Sequence, residues 1–336
     1  MPHTDEARER PATIADVARR AGVAASTVSR ALSNPGRVNA STRERIERAA
    51  EELSYVPSAQ ARSLVSGRTG AVALLVPDIA NPFYFGLIRG AQRQLRAAGY
   101  TQLLVDTEES REVEEEAIAL MRKSADGVIL AASRLDDEAL ARIARQQPIV
   151  TVNRDHPDVP SVIVDTASGA RQALTHLRSL GHQRIAYVAG PTESWSSAQR
   201  WDALRAAAPG LGIELDFIGP WTPTSEAGPA AADAVAAGSA TACIVFNDLL
   251  AIGMLGRLAE RGVRVPEDLS VVGTDDIFGS DFCHPPLTTV SAPIEEAGRV
   301  AVTTLQGRIE RRATPRQRTV LPTHLRIRQS SGNAPL

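Results

Sequence analysis

Short β-rich runs alternate with helical stretches from residue 71 onward, and this alternation constrains the fold more than any other feature of the sequence. The runs are "AVALLV", "TQLLV", "GVILA", "PIVTV", "VIVD", "RIAYVAG", "CIVFND" and "LSVVG". The segments between them, such as "YFGLIRGAQRQLRAAG" and "DLLAIGMLGRLAERG", are amphipathic and mostly end at glycine, as helices commonly do. Because strands that alternate with helices form parallel sheets, we predict a doubly wound α/β body over residues 70–330.

This body is longer than one doubly wound unit requires. The stretch "VIVDTASGARQALTHLRSLGHQRIAYVAG" interrupts the pattern and indicates two similar lobes that face each other across a cleft. We expect the break between the lobes near residue 162, with further crossings of the chain near residues 291 and 320.

Composition excludes several classes of protein. A hydrophobic content of 43% and a charged content of 23% are ordinary for a globular chain, and no apolar run approaches the roughly 18 residues of a membrane span. Residues 1–12 are charged and lack an apolar stretch, so we expect a disordered arm, no membrane anchor and a cytoplasmic location. The two cysteines, Cys243 and Cys283, form no CxxC pattern, which indicates neither a disulfide framework nor a metal site.

The first part of the chain predicts a three-helix domain over residues 13–56. In "ATIADVARRAGVAASTVSRAL", Thr13 and Asp16 match a capping box, and Gly22 separates two amphipathic segments. We expect a third helix to start at Ser41, with Glu44 completing a second capping box. Two short helices joined by a glycine turn are typical of the helix-turn-helix unit, whose second helix enters the DNA major groove.

The outward face of the second helix is the expected reading surface. It carries small residues that permit close approach to base edges, together with a guanidinium that can bind guanine bidentately. Residues 1–69 hold eleven arginines against eight acidic residues, a modest basic excess. The alternative is a generic helical bundle with solvated arginines. The predicted DNA-binding residues are Ala25, Ser26, Thr27, Ser29, Arg30 and Arg37.

Three ordered segments, "TIADVARRAGVAASTVSRAL", "VNASTRERI" and "YVPSAQARSL", resemble the N-terminus of the lac repressor family (LacI/GalR type). The motifs "PDIANPFY", "GHQRIAYVAGP", "FNDLLAIG", "RVPEDLSVVGTDD" and "PPLTTV" extend the resemblance to about residue 328. The resemblance implies a periplasmic-binding-protein-like core and a homodimer that binds a palindromic operator and responds to a small-molecule effector. Closure of the cleft would then alter the spacing of two hinge helices.

The same resemblance gives a role to Leu64, which otherwise stands in a linker without a packing partner. It implies that residues 57–69 hold a hinge helix and that Leu64 wedges between the central base pairs in the minor groove. Such a wedge costs a few kcal/mol of unstacking but bends the DNA onto more protein surface. The alternative is a leucine that docks on the neighbouring domain.

The residues that follow the predicted strands are the candidates for the effector site, because ligands bind beyond the carboxyl ends of strands in such folds. Carboxylates, amides, arginines and aromatic faces suit a polyhydroxylated ring, so a carbohydrate or a nucleoside is the expected class. Each could instead be a strand-end cap, and we expect Asp248 to be a helix N-cap. The candidates are Asp78, Asn81, Phe83, Tyr84, Asn153, Arg154, Arg200, Trp221, Asn247 and Asp275.

The resemblance supports four of these positions. It implies that Arg200 binds effector hydroxyls and that Trp221 stacks on the ligand. It also implies that Asn247 belongs to the family's "ND" motif and that Asp275 is the first aspartate of its "GYDD"-like turn. Thr274 departs from that pattern, because the family usually has an aromatic residue before this aspartate.

An enzyme would need catalytic chemistry, and the sequence contains no G-x-G-x-x-G, G-x-x-x-x-G-K-[ST], G-x-S-x-G or H-E-x-x-H motif. We therefore expect no catalysis, cofactor or metal. The favoured function is an effector-responsive repressor of carbohydrate uptake or catabolism genes, and the alternative is a regulator that responds to a nucleoside or purine. A transporter's solute-binding protein is a further rival, but it would not need a DNA-reading arm.

Overall fold

A computed structural model describes residues 10, 12–33, 35–55, 68–311 and 317–335. The chain divides into two compact units, Met1–Gly70 and Ala71–Leu336. No helix in the described ranges is long and apolar enough to cross a membrane.

Among its described residues, the first unit contains three α-helices and a short 3-10 turn. Thr13 caps the first helix, and its side chain forms the predicted capping box with Asp16. Gly22 ends that helix with φ +64°, the left-handed conformation that glycine adopts at no steric cost. The α-helices are α1 (Ile14–Ala21), α2 (Ala25–Ser33) and α3 (Ala40–Glu52), and the 3-10 turn is Pro35–Arg37.

The predicted start of α3 was wrong by one residue, and its cap is a different side chain. Asn39 is the N-cap, and its Oδ1 accepts the backbone N–H of Ser41 at 3.0 Å. An asparagine oxygen at this position satisfies a backbone donor that the helix leaves free. The three helices bury Val17, Val28 and Ile46 completely, which closes a small core.

The second unit contains two six-stranded sheets. The first has the order β11-β5-β4-β3-β1-β2, with every neighbouring pair parallel. Its strands are β1 (Ala71–Val76), β2 (Thr101–Asp106), β3 (Gly127–Ala131), β4 (Ile149–Val152), β5 (Ser161–Val164) and β11 (Arg318–Leu321). Its helices are α4 (Phe83–Ala97), α5 (Arg111–Ser124), α6 (Asp137–Gln146) and α11 (Ile294–Ile309).

The second sheet has the order β12-β10-β9-β8-β6-β7 and is parallel except for β12, which pairs antiparallel with β10. Its strands are β6 (Arg184–Val188), β7 (Glu214–Ile218), β8 (Ala242–Val245), β9 (Ser270–Asp275), β10 (Thr288–Ser291) and β12 (His324–Arg326). Its helices are α7 (Thr166–Ser179), α8 (Trp195–Leu211), α9 (Gly228–Ala236) and α10 (Asp248–Glu260). The predicted α/β class with parallel sheets is confirmed; the antiparallel edge was not predicted.

We call the first sheet with its helices the first lobe, and the second sheet with its helices the second lobe. The chain passes between these two lobes at three places. Residue 162 lies inside β5, so the first passage follows Val164 rather than falling at 162. The second passage lies between β10 and α11, and the third lies between β11 and β12. Thr323 Oγ1 donates to the carbonyl of Asp165 at 2.9 Å, and Gln172 donates to the carbonyl of Thr323 at 3.0 Å, so the first and third connections are bonded together.

Candidate DNA-reading helix and interlobe cleft

The predicted reading residues lie on α2 with their side chains directed away from the small core. Ala25, Ser26 and Arg30 are exposed, and Thr27 and Ser29 are partly exposed. Arg37, in the 3-10 turn after α2, is also exposed. This arrangement leaves these side chains accessible to a duplex, and their contacts with bases remain predictions. Leu64 and most of the expected hinge lie outside the described residues.

Side-chain contacts hold the first helices in place. Arg20 of α1 pairs with Glu52 of α3 at 2.6 Å. The Thr13 side chain holds the pKa of Asp16 low, at about 2, by hydrogen bonding to its carboxylate. The carboxylate therefore remains charged at the positive end of α1, where it favours the helix.

At the end of β1, the predicted polar residues bond to their own loop. Asp78 Oδ1 accepts the backbone N–H of Ala80 at 2.8 Å, and Asn81 Oδ1 accepts that of Phe83 at 3.0 Å. Asn81 is buried. These short-range bonds are typical of turns, so both side chains contribute to the shape of the loop.

Phe83 and Tyr84 form an edge-to-face pair, with ring centroids 5.2 Å apart, at the start of α4. Burial raises the pKa of the Tyr84 phenol; the Glu109 carboxylate adds to the rise, and the Arg134 guanidinium opposes it. Asp275 also raises this pKa, so charged groups from both lobes act on Tyr84. The phenol therefore stays protonated at neutral pH and remains a hydrogen-bond donor.

The predicted residues after β4 also have hydrogen-bond or ion-pair partners within the protein. Asn153 has φ +56°, and its Oδ1 accepts the backbone N–H of Val164 at 3.0 Å, which joins the ends of β4 and β5. Arg154 forms an ion pair with Asp137 at 2.6 Å and donates to the carbonyl of Leu135 at 3.2 Å. Both side chains are therefore fixed by the first lobe.

On the second lobe, Arg200 is buried with incomplete hydrogen bonding. It extends from α8, donates to the carbonyl of Phe246, and lies over the Phe246 ring with its guanidinium carbon 5.0 Å from the centroid. Its Nε is buried and has no hydrogen-bond partner among the described residues. The same is true of the indole Nε1 of Trp221. Buried donors without partners cost free energy, so a ligand that accepted from them would be stabilised.

Asp275 ends β9, with φ +115° and a partly exposed side chain. Burial raises the pKa of its carboxyl well above the usual range; the Arg200 guanidinium opposes this rise and the Asp248 carboxylate adds to it. The Arg200 guanidinium therefore lies near enough to the Asp275 carboxyl to favour its charged form. Such a pair can bind two neighbouring hydroxyls, one through a donor and one through an acceptor.

The expected roles of Asn247 and Asp248 have to be corrected. Asn247, not Asp248, is the N-cap of α10: its Oδ1 accepts the backbone N–H of Leu250 at 3.0 Å, and its Nδ2 donates to the carbonyl of Pro223 at 2.9 Å. Asp248 is completely buried. The sequence pattern placed the cap one residue late.

Asp248 holds the loop that follows Asp275. Its carboxylate accepts from the hydroxyls of Ser280 and Thr289, each at 2.6 Å, and from the backbone N–H of Ile277 at 3.1 Å. Burial raises its pKa to about 6, and these three hydrogen bonds oppose the rise.

The sequence reading missed Arg134, whose side chain is only 6% exposed. Its Nε donates to Glu109 at 2.9 Å, and its backbone N–H donates to the buried carboxylate of Glu114 at 2.9 Å. Arg134 follows β3 by three residues, in "GVILAASR", so the strand-end rule would have found it had it been applied to that strand.

A groove of about 920 Å³ lies between the lobes. Among the predicted effector residues, only Arg154 lines it; Arg200 and Asp275 do not. The groove is therefore distinct from the region around Arg200 and Asp275, which holds the predicted effector residues of the second lobe. Its lining residues are Arg111, Arg134, Leu135, Asp136, Asp137, Glu138, Arg154, Asp155, His156, Pro157, Thr192, Glu193, Ser194, Trp195 and Ala198. Within the part of the chain that is described, no group of three or more His, Cys, Asp or Glu side chains could hold a metal ion.

Comparison with known proteins shows similarity along nearly the whole chain. A family model described as "Bacterial regulatory proteins, lacI family" matches residues 13–58, and one described as "Periplasmic binding protein-like domain" matches residues 174–331. The HTH-type transcriptional repressor CytR of Escherichia coli (strain K12) is 36% identical over 303 residues, which cover 88% of this chain and 89% of the relative.

Two solved structures show the same architecture. The transcriptional regulator CelR–cellobiose complex has 32% identity and a TM-score of 0.72, covering 95% of this chain and 99% of that chain. The lac repressor dimer bound to operator and the anti-inducer ONPF has 27% identity and a TM-score of 0.84, covering 96% of this chain and 100% of that chain.

Proposed function

Because the chain belongs to the lacI family of bacterial regulatory proteins and is a DNA-binding transcriptional regulator, we propose that it is a dimeric repressor whose effector is a carbohydrate. The regulated genes would encode carbohydrate uptake or catabolism, and the protein would act in the cytoplasm, where its operator lies. No catalytic step is part of this proposal.

One observation carries the effector proposal: the buried Nε of Arg200, on α8 of the second lobe, has no hydrogen-bond partner among the described residues. A vicinal diol both donates and accepts, so it can satisfy a guanidinium and a carboxyl together. The indole of Trp221 offers a further donor and an apolar face. The similarity to a regulator solved with cellobiose supports a sugar over a nucleoside.

We assign DNA reading to α2. Arg30 is exposed in its last turn, and Ala25 and Ser26 are exposed in its first turn. In this proposal Arg30 specifies one base in each half-site, while Thr27, Ser29 and Arg37 contact the backbone or neighbouring bases. Leu64 would act as the wedge at the centre of the operator.

Dimerisation would use apolar surface on the second lobe. Phe278 is 80% exposed and Phe282 is 65% exposed, and their rings pack edge to face, 5.0 Å apart. Two large aromatic side chains at one exposed site are typical of a protein–protein contact. Both belong to the loop that Asp248 holds in place through Ile277 and Ser280.

Effector binding would change operator affinity by favouring one state of a two-state protein, and only contacts that differ between the states can do this. Arg200 donates to the carbonyl of Phe246. A ligand that redirected this guanidinium and also contacted the first lobe would stabilise a different arrangement of the two lobes.

The proposal can be tested by selecting DNA sites from a random pool at two salt concentrations and repeating the selection with a panel of sugars and nucleosides. We expect a near-palindromic site with a pyrimidine–purine step at its centre, because such steps kink easily. We also expect one sugar to change its recovery. Selected sites without dyad symmetry would contradict binding of the operator by a dimer. A response to nucleosides alone would contradict a carbohydrate effector.

A further inference from the structure

A groove of about 400 Å³ lies at the start of β4 in the first lobe, and we call it the basic groove. It forms where α6 and α11 end: Gln147 follows α6, and Pro148 precedes β4. The effector candidate Asn153 follows β4, at the other end of the same strand. Because ligands of such sheets bind beyond the carboxyl ends of the strands, the basic groove is separate from the cleft. Its volume is within the range of small-molecule sites.

The basic groove reaches around the end of the first sheet. Leu140 of α6 belongs to the same core cluster as Ile149, and Val302 of α11 belongs to that of Val150. Successive residues of a strand point to opposite faces, so the two helices cover opposite faces of the sheet. The groove therefore joins the ends of two helical layers that the sheet separates.

Three arginines line the basic groove without a counter-charge. Arg145 is in the last turn of α6, Arg308 is in the last turn of α11, and Arg311 follows that helix. None of the three forms an ion pair or a side-chain hydrogen bond with another residue that the structure describes. By contrast, Arg142 in α6 pairs with Glu115 at 3.6 Å. The described residues that line the groove include no aspartate or glutamate.

The helix ends explain only part of this arrangement. The helix dipole favours a cation in the last turn, which accounts for Arg145 and Arg308 one at a time. It does not account for Arg311, which lies beyond the end of α11, or for the presence of all three side chains around one groove. Because like charges repel, an anion bound between the three guanidinium groups would be stabilised.

Gln147 gives a second indication of a ligand. It lines the basic groove, and both its Oε1 and its Nε2 are buried without a hydrogen-bond partner among the described residues. An unsatisfied buried amide costs free energy, so a ligand oxygen that accepted from Nε2 would recover part of that cost. The groove thus combines positive charge with a free neutral donor.

We propose that the basic groove binds the phosphate group of a small phosphorylated molecule, at a site separate from that of the carbohydrate effector. Guanidinium groups bind phosphate oxygens through paired N–H donors, and Arg145, Arg308 and Arg311 together neutralise a dianion. The Gln147 amide donates to a further oxygen. Sugar binding at the carboxyl ends of the strands is not required for this site to fill.

Calorimetric titration of the full chain with inorganic phosphate and with pyrophosphate, in the absence of DNA, tests the site. We expect both anions to bind, and we expect Arg308→Gln to weaken pyrophosphate binding about tenfold through loss of one charged donor. Arg308→Lys keeps the charge but not the paired donors, so its affinity should lie between the two. Thermal unfolding of each variant establishes that it is folded.

Arg96→Gln is the matched control. Arg96 is an exposed arginine in the last turn of α4, in the same lobe but outside the basic groove, so its loss should leave pyrophosphate affinity unchanged. Equal pyrophosphate affinity in Arg308→Gln and the wild type would overturn the proposal, as would a failure of both anions to bind. If Arg308→Gln weakened operator binding and neither anion bound, the arginines would contact the DNA backbone and the small-molecule site would be wrong.

Discussion

Both lobes carry polar side chains near the carboxyl ends of their strands or on neighbouring helices, but the two lobes use them differently. On the first lobe, Asp78, Asn81 and Asn153 each accept a backbone N–H of their own lobe. On the second lobe, Arg200 and Trp221 keep buried donors without partners among the described residues. A position at a strand end therefore does not define a ligand contact, and hydrogen bonds that the protein leaves unsatisfied are the better indicator.

One residue in each lobe departs from this contrast. Asn247 belongs to the second lobe, yet it is a helix cap with both polar atoms bonded. Arg134 belongs to the first lobe and points toward the groove, but Glu109 already neutralises it. We infer that Arg200 and Asp275 select the ligand and that the first lobe supplies a preformed, charge-balanced wall.

The largest expected effect is that of Arg200→Ala. Arg200 is the buried guanidinium that we propose binds the effector, and losing a charged hydrogen-bond donor commonly costs about 1.5–3 kcal/mol, so affinity for the selected sugar should fall by roughly tenfold or more. Calorimetric titration measures it. Arg184→Ala is the control, since Arg184 pairs with Asp216 at the opposite end of β6. If Arg200→Ala bound the sugar with wild-type affinity, Arg200 would not be a ligand contact, and the assignment of ligand selection to the second lobe would fail.

The next effect concerns pH. Burial raises the pKa of Asp248 from 3.8 to about 6, so the folded protein binds this proton more tightly than the unfolded chain. Stability should therefore be greatest below the unfolded pKa and fall as pH rises from about 4 to about 6, by on the order of 2–3 kcal/mol. Urea unfolding across this range should show the wild type losing stability relative to Asp248→Asn. Parallel profiles would show that Asp248 titrates normally.

A first-lobe substitution should affect folding rather than sugar binding. Asn153→Ala leaves the buried N–H of Val164 without its acceptor and should lower the free energy of unfolding by about 1–3 kcal/mol. Asn153→Asp keeps the acceptor and should lose less. Denaturant unfolding measures both. If Asn153→Ala folded with wild-type stability but no longer bound sugar, Asn153 would be a ligand contact and the contrast between the lobes would fail.

The smallest effect should come from Asp78→Ala. The lost hydrogen bond, to the N–H of exposed Ala80, contributes about 0.5–1 kcal/mol at most. Sugar affinity should change less than the error of the titration. A large loss of sugar affinity with unchanged stability would place Asp78 in the site and extend ligand recognition to the first lobe.

Local patterns were sufficient for the architecture. The apolar runs of β1 and β3 are completely buried, as continuous hydrophobic runs between helices predict. Thr13 and Asp16 form the predicted capping box because its two side chains are three residues apart. Such signals depend on neighbours in sequence, so one chain suffices to recognise them.

Contacts between distant residues were not predictable in this way. Asn153 bonds to Val164 only because β4 and β5 end side by side, and Arg134 meets Glu109 because the loops after β2 and β3 converge. The sequence located candidate side chains at the strand ends. It did not reveal which of them already form hydrogen bonds within the folded protein. The groove beside Trp195 was missed because its lining comes from segments far apart in the chain.

Operator titration of Asp275→Ala, with and without the selected sugar at saturation for the wild type, tests whether Asp275 is needed for the response to effector. We predict that operator affinity without sugar stays near that of the wild type, because the DNA-reading helix is unchanged. We also predict that sugar no longer shifts this affinity, since a contact that distinguishes the two states of the protein is lost. The protein would then repress permanently if the sugar is an inducer, and would be permanently inactive if it is a corepressor. A wild-type shift on adding sugar would contradict the assignment of effector recognition to Asp275 and the second lobe.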